Sequence, residues 1–310
     1  MKKQKIVAVI PALNEEGNLR TLLKRFPRKV VDQIVVVDDG SRDKTSSVAK
    51  GEGAIVVQHG RNLGVGAAIK SGYSKALELN ADIILVVAGD GQHDPREIPN
   101  LIKPILEDEA DYVVGDRLSA NPRAGGMPRH RYYGNRLLTY LTRKITKLDV
   151  KDSQCGYAAI SRAALRKINL GFLSDRWGVP NDMLLECALR GLRVRYVPIT
   201  AIYGGRKSYI RLPGFGVRLI AIMIRGILRY LYFYRGTIVF SVAGGSLIII
   251  GLAYGLWIVF ETITSRSLAV GVASVVFVAT IVLTGVQLLV FGLLAEMTKM
   301  IESRISAGSP

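Results

Sequence analysis

Two stretches near the carboxyl end constrain this chain most: residues 236–260 and 268–295 contain no charged side chain. Each exceeds the roughly 20 residues that a helix needs to cross a hydrocarbon core of about 30 Å. A helix buried in a soluble core usually offers an apolar run of about 10–14 residues, so two membrane spans are the expectation. Residues 261–267 form a short polar connection whose one basic residue is Arg266, which makes the pair a hairpin. Arg218, Arg225, Arg229 and Arg235 precede the first span, and Lys299 and Arg304 follow the second. Basic flanks stay on the cytoplasmic side. The expectation is therefore an integral membrane protein whose two termini, and whose whole region before the hairpin, face the cytoplasm.

Residues 211–235 read as a separate piece. Arg218, Arg225 and Arg229 are seven and four residues apart and share one helix face. Leu219, Ile220, Ile222, Met223, Ile224, Ile227, Leu228 and Leu231 fill the rest. An apolar helix with an arginine stripe suits the membrane interface. The same pattern would serve a helix packed on a soluble domain, but its run into a span favours the interface.

Residues 1–210 have the pattern of an ordinary globular domain. Short apolar runs at 6–10, 33–37, 54–58 and 82–87 alternate with helical patterns, including 66–79. Such alternation implies βαβ units and a mostly parallel sheet in an α/β fold. Ligands of such sheets sit beyond the carboxyl ends of the strands, and the polar clusters fall there. An opening apolar run of five or six residues before Pro11 is too short for a signal peptide. Cys155 and Cys187 suggest no disulfide framework, and His59, His93 and His130 are not spaced as a zinc set. The 42 basic against 25 acidic residues give a formal charge of +17, which fits nucleic acid, an anionic membrane surface or phosphorylated substrates.

Four clusters carry the chemistry. They are Pro11-Ala-Leu-Asn14-Glu15, Asp38-Asp39-Gly40-Ser41, Arg61-Asn62-Leu63-Gly64-Val65-Gly66, and Ala88-Gly89-Asp90-Gly91-Gln92. Singly, each also reads as a common turn or a tight helix entry. In this order they resemble the GT-A fold of family 2 glycosyltransferases, over roughly residues 5–210. A dinucleotide-binding domain would need its glycine-rich turn after the first strand, whereas here that position holds Pro11 to Glu15.

The resemblance implies roles. Pro11, Asn14, Glu15, Asp38, Asp39, Asn62 and Gly64 would line a nucleotide pocket. Asp90 and Gln92 would hold Mg²⁺ or Mn²⁺ on the diphosphate, since hard oxygen ligands suit these ions. The usual Asp-x-Asp motif has Ala88 in its first position here, which puts the affinity for the ion and the choice of ion in question. Arg117, Arg131 and Asn135 would hold the phosphate of a lipid acceptor, within a basic stretch from 117 to 151 that reads equally as a surface patch. Asp152-Ser-Gln-Cys155-Gly156-Tyr157 resembles another family segment, with Ala158 in place of its usual arginine. Asp182 would orient or deprotonate the acceptor, the alternative being a helix cap. Arg206 and Lys207 would sit on a loop over the diphosphate.

The function implied is inverting transfer of a hexose from a nucleotide diphosphate sugar to a polyprenyl or dolichyl phosphate. UDP-glucose or a similar UDP-sugar is the expected donor, with GDP-mannose the alternative. A processive polysaccharide synthase and a catalytically inactive membrane partner are the rival readings. The expected partners are the nucleotide sugar, the polyprenyl phosphate and the membrane, with no nucleic acid. Two spans per chain leave room for a homo-oligomer.

Overall fold

The computed structural model describes residues 3–119, 126–200, 202–203, 239–264 and 271–307. The chain divides into two compact units, Met1–Met223 and Ile224–Pro310. The interfacial helix expected at 211–235, and Arg206 and Lys207, lie outside the described residues.

In the first unit the elements follow one another as β1 (Ile6–Ala12), α1 (Glu16–Lys24), β2 (Gln33–Asp38), α2 (Thr45–Gly51), β3 (Ile55–Gln58), α3 (Val65–Glu78) and β4 (Ile83–Val86). Then come α4 (Ile98–Leu106), β5 (Tyr112–Asp116), α5 (Arg129–Thr146), β6 (Ala158–Ser161), α6 (Arg162–Lys167), α7 (Val179–Leu189) and β7 (Val194–Pro198). The seven strands form one sheet in the order β3-β2-β1-β4-β6-β5-β7. The pairs β1–β2, β1–β4, β2–β3 and β5–β7 are parallel, while β6 runs antiparallel to both β4 and β5. Because β6 is reversed against both neighbours, β4 and β5 point the same way. The carboxyl ends of β1, β2, β4, β5 and β7 therefore share one edge.

β1 and β2 are continuous apolar runs rather than alternating ones because both faces of this part of the sheet are covered. Val7, Ala8, Val9 and Ile10 are fully buried, as are Val35, Val36 and Val37. α3 turns Ala68, Ile69, Gly72, Tyr73 and Ala76 inward, a 3.6-residue stripe. Gly72 lets it lie close against β1, since a Cβ there would come within 2.1 Å of the Val9 side chain.

The second unit contains two long helices, α8 (Val239–Thr264) and α9 (Val272–Ala307). They pack antiparallel through small residues. A Cβ on Gly244 would meet the Gly285 carbonyl at 2.6 Å, and one on Gly251 would meet Val282 at 2.7 Å. Tyr254 lies edge-on to Phe277 and Phe240 lies near Phe291. Small residues at the crossing are the device by which helices associate in lipid, where apolar burial gives no drive. Only 11% of the most apolar 18-residue stretch of each candidate span is buried. A soluble core helix would be mostly covered, so these exposed apolar surfaces fit a hydrocarbon environment. The hydroxyls of Thr280 and Thr284 donate to the carbonyls four residues earlier, at 2.8 Å in both cases, and need no water.

Candidate active site

The edge formed by the strand carboxyl ends begins with the turn after β1. Asn14 adopts a positive φ of 54°. Its N–H donates to Ser41 Oγ at 2.9 Å, and its Oδ1 accepts from the Arg42 N–H at 2.8 Å. The Glu15 N–H donates to Thr45 Oγ1 at 2.9 Å, and the Glu15 carboxylate accepts from Asn18. The turn after β1 is thus laced to the turn after β2.

Asp38 ends β2 and Asp39 follows it, and both are buried. Asp38 accepts from the Ser41 N–H at 2.8 Å and from the Ser46 hydroxyl. Asp39 is more fully engaged. Its Oδ1 meets His59 Nδ1 at 2.7 Å and the Leu63 N–H at 2.9 Å, and its Oδ2 meets the Gly64 N–H at 2.8 Å. A carboxylate offers about four lone-pair sites. Two donors on Asp38 leave it capacity for a base or ribose, whereas Asp39, with three, chiefly fixes the glycine-rich loop.

His59 completes a chain, because its Nε2 meets Ser71 Oγ on α3 at 2.9 Å. A carboxylate can only accept, so Nδ1 donates to Asp39. Sequence reasoning excluded His59 from a metal set and assigned it nothing else. Its position just beyond β3, opposite the acids that close β2, is the signal that could have found it.

The glycines of this loop serve packing as well as shape. Gly64 has a φ of 108°, and a Cβ there would lie 2.5 Å from the Asp175 carbonyl. At Gly66 a Cβ would lie 1.8 Å from the Ser174 carbonyl. The reason is that residues 174–176 cap α3. The Gly66 N–H donates to the Arg176 carbonyl at 3.2 Å and the Ala67 N–H to the Asp175 carbonyl at 2.8 Å. Two of the helix's free N-terminal donors are thereby satisfied within the protein. Asn62 is exposed beside them.

Asp182 belongs to the same support. It lies in the first turn of α7, whose N-cap is Gly178 rather than Asp182. The side chain is buried and accepts from the Ser174 N–H at 2.8 Å and from the Ser174 hydroxyl. It therefore holds the loop that caps α3.

Beyond β4, Asp90 Oδ1 accepts from the Gln92 N–H at 3.0 Å, and Ala88 occupies the position where a second acid would stand. The described residues hold no group of three or more His, Cys, Asp or Glu side chains placed to bind a metal. One carboxylate and one amide fit a cation held largely by substrate phosphates, a common arrangement for Mg²⁺. His93 underlies this turn, buried and stacked on Tyr157 with centroids 5.0 Å apart. Burial, reinforced by the Arg117 charge, pushes its pKa down to about 3, so it is a neutral support.

The acceptor candidates gather beyond β5. Arg117 is buried and forms a two-bond ion pair with Asp152, Nε to Oδ2 at 2.7 Å and Nη2 to Oδ1 at 3.0 Å. Asp152 also accepts from the backbone N–H groups of Arg117 at 3.3 Å and Gln154 at 3.0 Å. This pairing occupies donors that the resemblance would give to a phosphate, so Arg117 also serves as a brace. Its Nη1 donates to the Tyr203 hydroxyl at 3.3 Å, and the Arg131 guanidinium lies 4.9 Å from the Tyr203 ring centre. Tyr203 thus links the two arginines, a role the sequence did not reveal. Asn135, one turn after Arg131 on α5, is buried, and its Nδ2 has no hydrogen-bond partner among the described residues. An unmet donor beside a half-buried arginine suits an anionic oxygen.

The sheet with one antiparallel strand among parallel ones, and the acids along its carboxyl edge, are those of a GT-A α/β domain. Glucosyl-3-phosphoglycerate synthase from Mycobacterium tuberculosis, solved in complex with Mn²⁺, UDP and phosphoglyceric acid, has the same fold. The two align with a TM-score of 0.55 at 22% identity, over 72% of this chain and 78% of that one. The model of the family described as Glycosyl transferase family 2 matches residues 7–169, and the chain belongs to that family. It is a glycosyltransferase. The UDP-N-acetylglucosamine–dolichyl-phosphate N-acetylglucosaminyltransferase of Methanococcus voltae is 32% identical over 220 residues, 66% of this chain and 88% of the relative. Glycosyltransferase AglJ of Haloferax volcanii is 30% identical over 299 residues, 94% of this chain and 93% of the relative, so that likeness extends into the apolar helices.

Proposed function

We propose that this glycosyltransferase transfers a hexose from a UDP-sugar to a polyprenyl phosphate at the cytoplasmic face of a membrane. The observation that carries this reading is the unmet donor of buried Asn135 beside Arg131, in a chain that also bears two span-length apolar helices. The name of the Methanococcus relative, which pairs a UDP-sugar with dolichyl phosphate, supports both substrate classes. UDP-glucose and UDP-N-acetylglucosamine are the donors to test first, with GDP-mannose as the alternative.

Pro11, Asn14, Glu15, Asp38, Asp39, Asn62 and Gly64 form the nucleotide pocket. Asp38 takes the direct contacts, and Asp39 shapes the loop through His59 and Gly64. Asp90 and Gln92 would hold Mg²⁺ or Mn²⁺, which when bound neutralises charge on the departing diphosphate. Arg131 and Asn135 hold the lipid phosphate, with Arg117 braced behind them, and Arg206 and Lys207 are the candidates to contact the diphosphate. A phosphate monoester has a second pKa of about 6 and is largely dianionic at neutral pH. Asp182 therefore acts by position rather than as a base. The phosphate oxygen attacks the anomeric carbon as the bond from that carbon to the diphosphate breaks, and the electron pair leaves with the nucleoside diphosphate. A single displacement inverts configuration and gives a β-linked lipid phosphosugar from an α-linked donor.

Incubation of the purified full chain with Mn²⁺, labelled nucleotide sugars and polyprenyl phosphate tests the reading. Label partitioning into the organic phase as a lipid-linked monosaccharide is the expected result. Polymer would indicate a processive synthase, and no turnover with any donor would indicate an inactive partner protein for which Ala88 would be the reason.

A further inference from the structure

The loop from Asn62 to Gly66 has the outline of an anion cradle, a glycine-rich turn running into the first residues of α3. Backbone N–H groups at such a helix start ordinarily take a phosphate. Here they are already engaged. Those of Leu63 and Gly64 donate to Asp39, and those of Gly66 and Ala67 donate to the Arg176 and Asp175 carbonyls. The side chains that a donor would meet along this edge include Glu15, Asp38, Asp39 and Asp90. A nucleoside diphosphate brought among such acids needs positive charge beside it, and these N–H groups are not free to give it.

The segment that takes up those N–H groups returns a cation in their place. Residues 174–176 are held at several points. Buried Asp182 accepts from the Ser174 N–H at 2.8 Å and from the Ser174 hydroxyl. Lys70 of α3 donates to the Asp175 carboxylate and, at 3.4 Å, to the Leu173 carbonyl. Arg176 lies directly on the glycine, since a Cβ added to Gly64 would come within 2.7 Å of the Arg176 Cγ and 3.0 Å of its Cα. The Arg176 side chain is exposed, and its guanidinium has no hydrogen bond or ion pair with any described residue. Trp177 beside it is 46% exposed, so the outer face of this loop is open. A lone arginine on a protein surface is ordinary. This one has its backbone fixed by a buried carboxylate and a neighbouring helix, and its stem rests on the glycine of the nucleotide loop. Such support from behind is what preorganises a side chain for a ligand.

We propose that Arg176 is a donor-binding residue, its guanidinium pairing with the diphosphate of the nucleotide sugar across Gly64. The planar fork of donors suits phosphate oxygens. This rests on the nucleotide-sugar reading and adds a contact to it. It also gives Asp182 a consequence on the donor side, because the carboxylate that fixes Ser174 sets where Arg176 stands.

Arg176→Met keeps an aliphatic stem on Gly64 and removes the guanidinium, and Arg176→Lys restores a charge without the fork. The purified full chains are titrated by calorimetry with UDP and, in parallel, GDP, each with Mn²⁺, at low and at high salt. The expected result is an affinity about tenfold lower in Arg176→Met, the lower end for a hydrogen bond to a charged group, with partial recovery in Arg176→Lys. The loss of affinity with added salt should be shallower in Arg176→Met, because one screened charge is gone. The Tm of the unliganded chain should hold. Equal affinity in Arg176→Met and the parent would overturn the proposal. So would a weaker affinity with an unchanged salt dependence and a lowered Tm, which would make Arg176 a structural part of the loop. A parent chain that binds neither nucleotide would sink the nucleotide-sugar reading and this proposal together, whereas binding that ignores the arginine sinks this proposal alone.

Discussion

Replacing Asp152 by alanine removes the partner of a guanidinium that is only 5% exposed. Asp152 itself is fully buried and accepts four N–H groups, two from the Arg117 side chain and one each from the backbones of Arg117 and Gln154. Breaking a buried ion pair from one side costs about 3–5 kcal/mol because a charge is left uncompensated. A domain of this size loses about 2–4 °C of Tm per kcal/mol, so Asp152→Ala is expected to lower Tm by about 6–20 °C. Thermal unfolding of the full chain in one detergent at one scan rate measures it. The double variant Arg117→Met, Asp152→Leu removes both charges and is expected to recover much of that loss. It should still transfer poorly, because Tyr203 loses the donor that joins it to the Arg131 side of the site. A Tm drop below about 2 °C for the single variant, less than the shift for 1 kcal/mol, would refute the reasoning. A double variant no more stable than the single one would do the same.

Three further outcomes follow from the site. Gly66→Ala puts a methyl 1.8 Å from the Ser174 carbonyl, and overpacking of this kind costs about 1–3 kcal/mol. The KM for the nucleotide sugar should rise while the KM for polyprenyl phosphate holds, as steady-state kinetics with each substrate varied would show. Asp90→Ala should abolish transfer, and Ala88→Asp should lower the Mn²⁺ concentration needed for half-maximal activity by about tenfold, the lower end of what a supporting ligand contributes. Titration of Mn²⁺ into chelator-treated protein reads both. His93 has its folded pKa depressed from 6.5 to about 3 by burial. The unfolded chain therefore takes up a proton that the folded one refuses, so stability falls as pH drops from about 6.5 towards 3. His93→Phe keeps the stack on Tyr157 and should flatten part of that fall in denaturant melts between pH 7 and pH 4, values chosen to bracket the His titration.

The amino-terminal half of the sheet was legible because β1, β2 and β4 are β-branched runs ending in polar turns, and their bounds moved by two residues at most. β6 was not legible. It is four residues of mostly small side chains, Ala158–Ser161, and its place between β4 and β5 is set by a connection of some length that leaves no local pattern. Residue types at the site were legible as well, since acids after strands and glycines before a helix have few other uses in that order. Their partners were not. Asp39 meets His59 20 positions away, Asp182 meets Ser174 across a loop, and Arg117 meets Asp152 35 positions on. Such pairings follow from the folded geometry, and no spacing rule announces them. The basic stretch from 117 to 151 read as one patch, whereas the fold turns Arg117 inward, lays Arg131 on Tyr203 and sets Arg136 and Lys144 beside Tyr132 and Tyr140.

Which bond breaks in the donor, and which atom of the acceptor takes the sugar, define the proposed reaction. Mass spectrometry and phosphorus NMR of the lipid product, with chromatography of the released nucleotide, read both at once. Attack by a lipid phosphate oxygen on the anomeric carbon predicts a product with a single phosphorus joining lipid to sugar, and a nucleoside diphosphate released intact. A product with two phosphorus atoms and a nucleoside monophosphate, or sugar found only on a soluble acceptor, would contradict it.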